Sequence, residues 1–492
     1  MPRTMVINVA GLSNALVDEI PSLAALGSKG ARLGLEPVLP AVTCTMQATL
    51  TTGEPPARHG IIANGLYFHD TCEVRFWEQS AHLVNAPRVW DLSVRSDECG
   101  VMSKKRGAAG RATHHSSLST HHLKVAMLFW QQSLYGTADI VLTPKPIHGP
   151  GDQLIQDCYS RPGDLYARLV AGESSLAPGQ PRGPFNLMHY WGPMAGIGSS
   201  RWIADASIAV WRDEKPDLML TYLPHLDYSG HRAGPDTDAH RAAARELEPL
   251  LAALLAAAEA DGARAIVLSE YSFMPVRRPV ALNRALREAG MLGLREVAGA
   301  EYLYPGDSRA FAMVDNQAAH IYFPNSPSVQ ADTRKVKALL EKVDGVAEVL
   351  DADGKAARGL DHVRSGDLVA LAEPDAHFVY YWWLDDAKAP PFARTVDIHA
   401  KPGFDAAELL IDLPRRAIPL TASGLRGSHG SPGRPGRASG GVALASRAAG
   451  GTPGWGVFID SRPPKALAGR KAVQATEVAH LLSAECGVRS DE

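Results

Sequence analysis

The amino-acid sequence predicts an α/β fold, a doubly wound and mostly parallel sheet sandwiched by helices, with a smaller α+β cap inserted into it. Three observations predict this class. Short apolar runs such as "TMVINVAGL" and "DLMLTYL" are typical of buried parallel strands. Helical segments alternate with these runs, and polar loops follow the strands. A different pattern of predicted strands and helices begins near Arg277.

The first part of the chain reads as alternating strands and helices. "TMVINVAGL" is the first strand, and "PSLAALGSKG" is a short helix that stops at glycine. "PDLMLTYL" is another buried strand, preceded by the helical "SRWIADASIAVWRDE". "DAHRAAARELEPLLAALLAAAEADG" is a strong helix that ends at Gly262, and "ARAIVLSEY" is the next strand. This order predicts an α/β core over residues 1–276.

The next hundred residues differ in their pattern. "AHIYFPN", "ADTRKVKALLEKVDG" and "VAEVLD" predict a strand, a helix and a strand, and "GDLVALAEPDAHFVYYWW" adds β structure. We expect an α+β cap insert at residues 277–378, placed over the open face of the sheet. Residues 379–492 then return to the core with a Gly-, Ser- and Arg-rich loop and a last helix, "ATEVAHLLSAECG".

The composition is that of a globular protein. Of 492 residues, 45% are hydrophobic and 21% charged, which is ordinary for a folded chain, and the length predicts two or three domains or one large α/β domain with insertions. The formal net charge of −3 gives no reason to expect a nucleic acid polymer as partner. The sequence has no apolar run of about 18 residues and no signal-peptide pattern, so we expect a cytoplasmic protein without a membrane partner. The five scattered cysteines are expected to be reduced thiols.

Candidate functional residues lie where the predicted strands end. Ligands of doubly wound sheets bind beyond the carboxyl ends of the strands, so chemistry is expected at Ala10, Asp227 and Glu270. Asp227 and His231 are four residues apart in a predicted glycine-containing loop, where a carboxylate and an imidazole can share a divalent metal. The alternative is that Asp227 caps a turn and His231 is a surface histidine.

Two further segments carry polar side chains. "GLRGSHGSPG" places His429 between glycines, which permit close approach to a ligand, although most such loops bind nothing. "VLSEYSF" places Glu270 and Tyr271 where two polar ligands would face the crevice, and a strand-end charge in water is the alternative for Glu270. The histidine-rich segment at residues 106–122 is either a metal or substrate loop or a flexible insertion, and its role stays open.

The stretch "PAVTCTMQATLTTG" supplies a candidate nucleophile. A threonine hydroxyl is inert at its free pKa and needs a metal, a base or a helix N-terminus to become nucleophilic. Thr43 lies at a predicted junction between a loop and the helix "CTMQATLTTG". A helix N-terminus also favours bound phosphate.

Four motifs in this order resemble the nucleotide pyrophosphatase/phosphodiesterase branch of the alkaline phosphatase superfamily. They are Thr43 with the later Thr52-Gly53, "HGIIAN" ending at Asn64, "LDYSGHRAGP", and "GSHG" around His429. The resemblance spans about residues 1–275 and 380–445. The predicted insert is similar to the small caps of phosphonoacetate-hydrolase-like members.

This resemblance implies a metal-dependent phosphoesterase. Thr43 would be the nucleophile that takes the phosphoryl group, and Asn64 would donate a hydrogen bond to a phosphate oxygen. Asp227, His231 and His429 would hold one metal, with zinc as the expected ion and another divalent metal as the alternative. In the family, attack at phosphorus takes place between two metals about 3.5–4 Å apart.

The sequence departs from the family at the second metal. The family's Asp-Gly after the first strand is Ala10-Gly11 here, and its Asp-His-Gly is Glu270-Tyr271-Ser272. Glutamate can ligate, whereas a neutral tyrosine, with an ordinary pKa of about 10, is a poor ligand. Two explanations stay open: Asp397 or His399, which would alternate on one strand face, rebuild the second site, or the enzyme works with one metal.

The expected substrate is a small molecule with a phosphodiester, pyrophosphate or phosphonate group. Alternatives are a phosphomonoesterase or phosphotransferase on the same scaffold, or a non-catalytic binding member with a degraded second site. A sulfatase is disfavoured because Cys44 lacks the Cys-x-Pro-x-Arg context. Tyr271 and Trp77 are candidate substrate contacts, although core packing is the commoner use of tryptophan. The sequence leaves the substrate and the oligomeric state open.

Overall fold

The computed structural model describes residues 3–91, 122–431 and 452–486. Most of the histidine-rich segment lies outside these ranges, and so do residues 432–451 of the glycine-rich loop. The strands of the two larger sheets are, in chain order, β1 (Thr4–Val9), β2 (Ala31–Glu36), β3 (Val125–Leu128), β4 (Ile140–Pro144), β5 (Cys158–Arg161), β6 (Leu218–Leu223), β7 (Arg264–Leu268), β8 (Phe311–Asp315), β9 (Ala318–Tyr322), β10 (Val346–Leu350), β11 (Leu368–Ala372), β12 (Gly456–Asp460) and β13 (Ala472–Gln474).

Within the described ranges, nine strands form one large sheet in the order β13-β2-β12-β7-β1-β6-β3-β4-β5. The central strands β7, β1, β6, β3 and β4 are mutually parallel. Strand β12 is antiparallel to both of its neighbours, and the edge strand β5 is antiparallel to β4. The mostly parallel sheet predicted from the apolar runs is therefore confirmed.

Helices cover both faces of this sheet. In chain order they, and those of the cap, are α1 (Pro21–Lys29), α2 (Thr43–Thr52), α3 (Pro56–His59), α4 (Leu165–Ala171), α5 (Ile197–Glu214), α6 (His225–Ala233), α7 (Asp238–Glu246), α8 (Glu248–Ala260), α9 (Leu282–Glu288), α10 (Val329–Leu340), α11 (Ala352–Ala356) and α12 (Ala475–Cys486). Successive side chains of a strand point to opposite faces. Ile7 accordingly packs with α5 and α8, whereas Val6 packs with α2 and α12.

A second sheet lies between the two core segments of the chain. Strands β8, β9, β11 and β10 form it in that order, and all of its pairings are antiparallel. Its apolar side chains form a cluster of their own with α9 and α10. The segments Arg278–Val280 and Ala376–Phe378 pair in parallel, which brings the two ends of the expected insert together. The limits 277 and 378 stay a prediction.

Two local predictions were wrong. "LDYSGHRAGP" is not a loop, because His225–Ala233 forms helix α6 directly after β6. Its Gly230 serves close packing, since a Cβ there would lie 2.3 Å from the Phe273 ring. "VDIHAKPG" is not a strand but a turn, in which the Asp397 carboxylate accepts a hydrogen bond from the Ala400 N–H.

Two general expectations can be compared with the described residues. No helix among them combines the length and the apolar character that crossing a bilayer requires. The thiols of Cys44, Cys72 and Cys158 are free, as expected for reduced cysteines. The cellular location and the absence of a nucleic acid partner stay predictions.

A fully buried ion pair links three elements of the core. Arg264 of β7 donates two hydrogen bonds to the Asp460 carboxylate of β12, at 3.0 and 2.6 Å, and both side chains are completely buried. The same guanidinium donates to the Leu481 carbonyl of α12. Because a buried charge without its partner is strongly destabilising, this pair fixes the antiparallel strand and the last helix against the sheet.

We expect Asp460→Ala to lower the free energy of unfolding by about 3–5 kcal/mol, because it removes one partner of a completely buried ion pair. The matched control is Asp261→Ala, which removes the carboxylate of the partly exposed Arg3–Asp261 pair and should cost less than about 1 kcal/mol. Urea unfolding followed by circular dichroism measures both changes. Equal losses in the two variants would contradict the structural role of the buried pair.

Candidate active site

The predicted site residues meet at the carboxyl ends of three adjacent strands in the middle of the large sheet. Asn8 lies near the end of β1, helix α6 with Asp227 follows β6, and Glu270 follows β7 by two residues. Helix α2 begins at Thr43 on one face of this edge. Tertiary structure thus brings together chain segments more than two hundred residues apart.

Helix α2 places Thr43 at its first position. Val42 is extended, with φ −129° and ψ 156°, so the helix begins at Thr43 and its first N–H groups have no partner within the helix. One of them, the Cys44 N–H, donates to Asn64 Oδ1 at 2.9 Å. The Thr43 hydroxyl is 3.0 Å from the Tyr271 hydroxyl and only 5% of the residue is exposed.

Asp227, His231 and His429 form a compact group of potential metal ligands. Each offers one ligand atom, and these atoms lie within 4.8 Å of one another. Asp227 and His231 are one turn apart on helix α6, and the Nε2 atoms of His231 and His429 are 3.7 and 3.8 Å from Asp227 Oδ1. It is the one such group among the described residues.

The backbone fixes the orientation of both imidazoles. His231 Nδ1 is 3.0 Å from the Gly427 carbonyl oxygen, and His429 Nδ1 is 2.7 Å from that of Ala41. Each Nδ1–H therefore donates to a carbonyl, and each Nε2 keeps a free lone pair within 4 Å of Asp227 Oδ1. His231 Nε2 is buried without a hydrogen-bond partner. Backbone-anchored imidazoles of this kind are typical of metal ligands.

Burial also shifts the pKa values of these three groups. It lowers the pKa of His231 to about 4, and it lowers the pKa of His429 well below the ordinary value, with the neighbouring His231 adding to the effect. Both imidazoles are neutral at pH 7, as metal ligation requires. Burial raises the pKa of Asp227 to about 7, opposed by a hydrogen bond from Tyr271. A cation would favour the ionised carboxylate.

Glu270 belongs to a different network. Its Oε1 accepts hydrogen bonds from Asn8 Nδ2 at 2.6 Å and from Gln47 Nε2 at 2.5 Å, while its Oε2 has no partner. Asn8 shares the face of β1 that packs against α2, where Gln47 lies one turn beyond Thr43. Burial raises the pKa of Glu270 to about 8, although both amides oppose the rise.

Tyr271 joins the threonine to the ligand group. Its ring stacks on His429 with a centroid distance of 3.6 Å and an angle of 4° between the planes. Its hydroxyl donates to Asp227 Oδ1 at 3.0 Å and is equally close to Thr43 Oγ1. The residue is 1% exposed, so its role as a substrate contact stays a prediction.

Asn64 has a partner that the sequence did not predict. Asp315, the last residue of cap strand β8, accepts from the Asn64 backbone N–H at 2.7 Å and from its Nδ2 at 3.1 Å. Burial raises the pKa of Asp315 to about 6. "VDNQ" signals a turn through its Asp-Asn pair, but no sequence pattern indicates that the carboxylate reaches Asn64 from another sheet.

The remaining candidates lie outside this arrangement or at its margin. His399 is exposed and lines a surface cavity with Cys72 and Trp382. Asp397 accepts its hydrogen bond within its own turn, and neither residue joins the ligand group. Trp77 is partly buried, and its ring contacts Phe404, which in turn contacts His231. Trp77 stays a candidate substrate contact.

Comparison with known proteins gives three findings. The family model for type I phosphodiesterase / nucleotide pyrophosphatase matches residues 4–405. No curated protein matches the chain. Among solved structures, the phosphonoacetate hydrolase of Sinorhizobium meliloti 1021 in complex with phosphonoformate is 15% identical, with a TM-score of 0.56, 98% of this chain covered and 96% of that chain.

Murine ectonucleotide pyrophosphatase/phosphodiesterase 5 is 13% identical with the same TM-score, and the match covers 100% of this chain and 96% of that one. At such low identity the structural likeness confirms the alkaline phosphatase-like fold that the motifs predicted. The family model, in contrast, covers most of the sequence itself. The chain therefore belongs to the type I phosphodiesterase / nucleotide pyrophosphatase family, whose members hydrolyse phosphoester and pyrophosphate bonds.

Proposed function

We propose that this protein hydrolyses a small phosphodiester, pyrophosphate or phosphonate, with Thr43 as nucleophile and a metal ion on Asp227, His231 and His429. One observation carries the proposal. Thr43 Oγ1 and Asp227 Oδ1 both lie 3.0 Å from the Tyr271 hydroxyl, so they are no more than about 6 Å apart. A single phosphate group can therefore contact the threonine and a metal on Asp227 at the same time.

The ligand group fits zinc. Two imidazole nitrogens and one carboxylate oxygen, with a further position left open, are the usual ligands of catalytic zinc. The unpartnered His231 Nε2 and the fixed Nδ1 atoms support this fit. When bound, the ion would supply Lewis acidity toward a phosphoryl oxygen. Another divalent ion is the alternative.

The protein's own residues orient the reactants. Thr43 stands at the start of a helix, where N–H groups without a partner in the helix and the helix dipole favour phosphate. Asn64 Nδ2 carries two hydrogens, and Asp315 accepts one of them, which leaves the other for a phosphate oxygen. Because these residues are almost completely buried, they are shielded from bulk water, which strengthens each polar contact to a bound phosphate.

The chemistry we propose has two steps. Thr43 Oγ1 attacks phosphorus and loses its proton, while the bond from phosphorus to the leaving group breaks and the leaving group takes up a proton. Water then releases the phosphoryl group from Thr43 and restores the hydroxyl. The net change is the addition of one water molecule across the bond that breaks.

We expect Thr43→Ala to lower kcat for bis(p-nitrophenyl) phosphate by about 10³-fold or more, because the nucleophile is lost. The control is Thr45→Ala, the same change two residues further along the buried helix, where the hydroxyl has no hydrogen-bond partner. It should keep most of the activity. Equal measurable rates for the wild type and Thr43→Ala would refute the nucleophile, whereas no hydrolysis by the wild type would favour a non-catalytic binding member.

We expect His231→Ala to weaken zinc binding by at least about 100-fold, because the loss of a group that only orients a ligand already costs about 10–100-fold. Equilibrium dialysis with metal analysis measures the affinity. His399→Ala, a change of an exposed histidine, should leave it unaltered. An unchanged affinity in His231→Ala, or a loss in His399→Ala, would contradict the proposed ligands. A screen of monoesters, diesters, nucleotide sugars and phosphonates would then identify the substrate class.

A further inference from the structure

The second metal site that the family resemblance implies does not fit the residues of this chain. Ala10 stands at the position of one carboxylate and offers only a buried methyl group. Of the expected ligands, Thr43 and Glu270 remain, and Tyr271 replaces an imidazole. The described residues hold no second group of three or more His, Cys, Asp or Glu ligands beside the one formed by Asp227 and the two histidines.

Hydrogen-bond donors already occupy one oxygen of Glu270. Asn8 and Gln47 both direct amide N–H groups at Oε1. The orientation of Gln47 is settled by the backbone, since its Oε1 accepts from the Gln131 N–H at 2.7 Å and its amino group must face Glu270. A cation at that oxygen would meet two donors. The Thr43 hydroxyl is engaged by Tyr271, so only Glu270 Oε2 and Asn8 Oδ1 lack partners, and two oxygens are fewer than the three protein ligands usual for zinc.

In a two-metal site the second ion also holds the nucleophile, and here the Tyr271 hydroxyl is placed to do this. Its hydroxyl hydrogen is directed to Asp227, so its oxygen accepts the hydrogen of Thr43 Oγ1. Stacking on His429 fixes the ring that carries this hydroxyl. The Thr43 hydrogen therefore faces Tyr271, and the lone pairs of Oγ1 are left for phosphorus.

We propose that the protein works with one metal ion per chain, and that the Tyr271 hydroxyl replaces the second ion as the group that orients Thr43. The amides of Asn8 and Gln47 occupy the rest of the second site, where both donate hydrogen bonds to Glu270 Oε1. This inference rests on the proposed function, since it takes Thr43 as the nucleophile. It makes Tyr271 a catalytic residue that touches the reacting atom.

The number of bound ions tests the first half of the proposal. The full chain, saturated with zinc and dialysed, is measured by elemental analysis and native mass spectrometry. We expect one tightly bound ion, retained in Glu270→Gln and lost in His231→Ala. Two ions in the wild type, with one lost in Glu270→Gln, would overturn the single-metal site while leaving Thr43 as the nucleophile.

Tyr271→Phe tests the second half, because it keeps the ring on His429 and removes the hydroxyl. We expect kcat to fall about 10²-fold, as for a misplaced reacting group, with KM little changed and one ion still bound. Tyr381→Phe is the matched control. It also removes a buried phenol hydroxyl, but the Tyr381 hydroxyl has no hydrogen-bond partner, so kcat should stay unchanged. Wild-type kcat in Tyr271→Phe with one ion bound would overturn the role of the hydroxyl.

Discussion

The burial of helix α2 along its whole length constrains the rest of the site. All ten residues from Thr43 to Thr52 are buried, and of their side-chain hydroxyls only that of Thr45 has no hydrogen-bond partner inside the protein. The hydroxyls of Thr51 and Thr52 bond to carbonyls of the preceding turn, and Thr49 bonds to His59. The helix can therefore be threonine-rich without being amphipathic. Its fixed position carries Thr43 and Gln47 to the end of the sheet, where the other groups meet them.

The two buried carboxylates at this edge of the sheet, Asp227 and Glu270, have different surroundings. Asp227 and Glu270 are both buried, and the charge of Asp227 adds to the rise that burial causes in the pKa of Glu270. The structure separates their surroundings: imidazoles and a phenol surround Asp227, whereas two amides hold Glu270. Asp227 is therefore available to a cation held by the two imidazoles, whereas Glu270 already accepts hydrogen bonds from two amides.

Much of this arrangement is predictable from the sequence, because it depends on local patterns. Apolar runs identify the central strands, and the motif spacing identifies Thr43, Asn64, Asp227, His231 and His429 as candidates. The rest depends on tertiary contacts. "LDYSGHRAGP" contains a glycine that suggests a loop, but close packing on Phe273 is the reason for Gly230. The partners of Glu270 come from a strand and a helix far away in sequence, and no spacing rule points to Asn8 or Gln47.

The hydrogen bonds between Asp315 and Asn64 anchor the proposed phosphate-binding amide in a different layer from Thr43, the proposed nucleophile. Thr43 is fixed by the core, whereas Asn64 is tied to the end of a cap strand. The same turn of the cap also contacts the ligand loop, since the Gln317 N–H donates to the His429 carbonyl. The packing of the second sheet on the core therefore affects the positions of Asn64 and of the His429 loop. A change in the packing of the cap thus acts directly on Asn64, the proposed phosphate contact, and on the loop of His429, a proposed metal ligand, whereas Thr43 is held by the core.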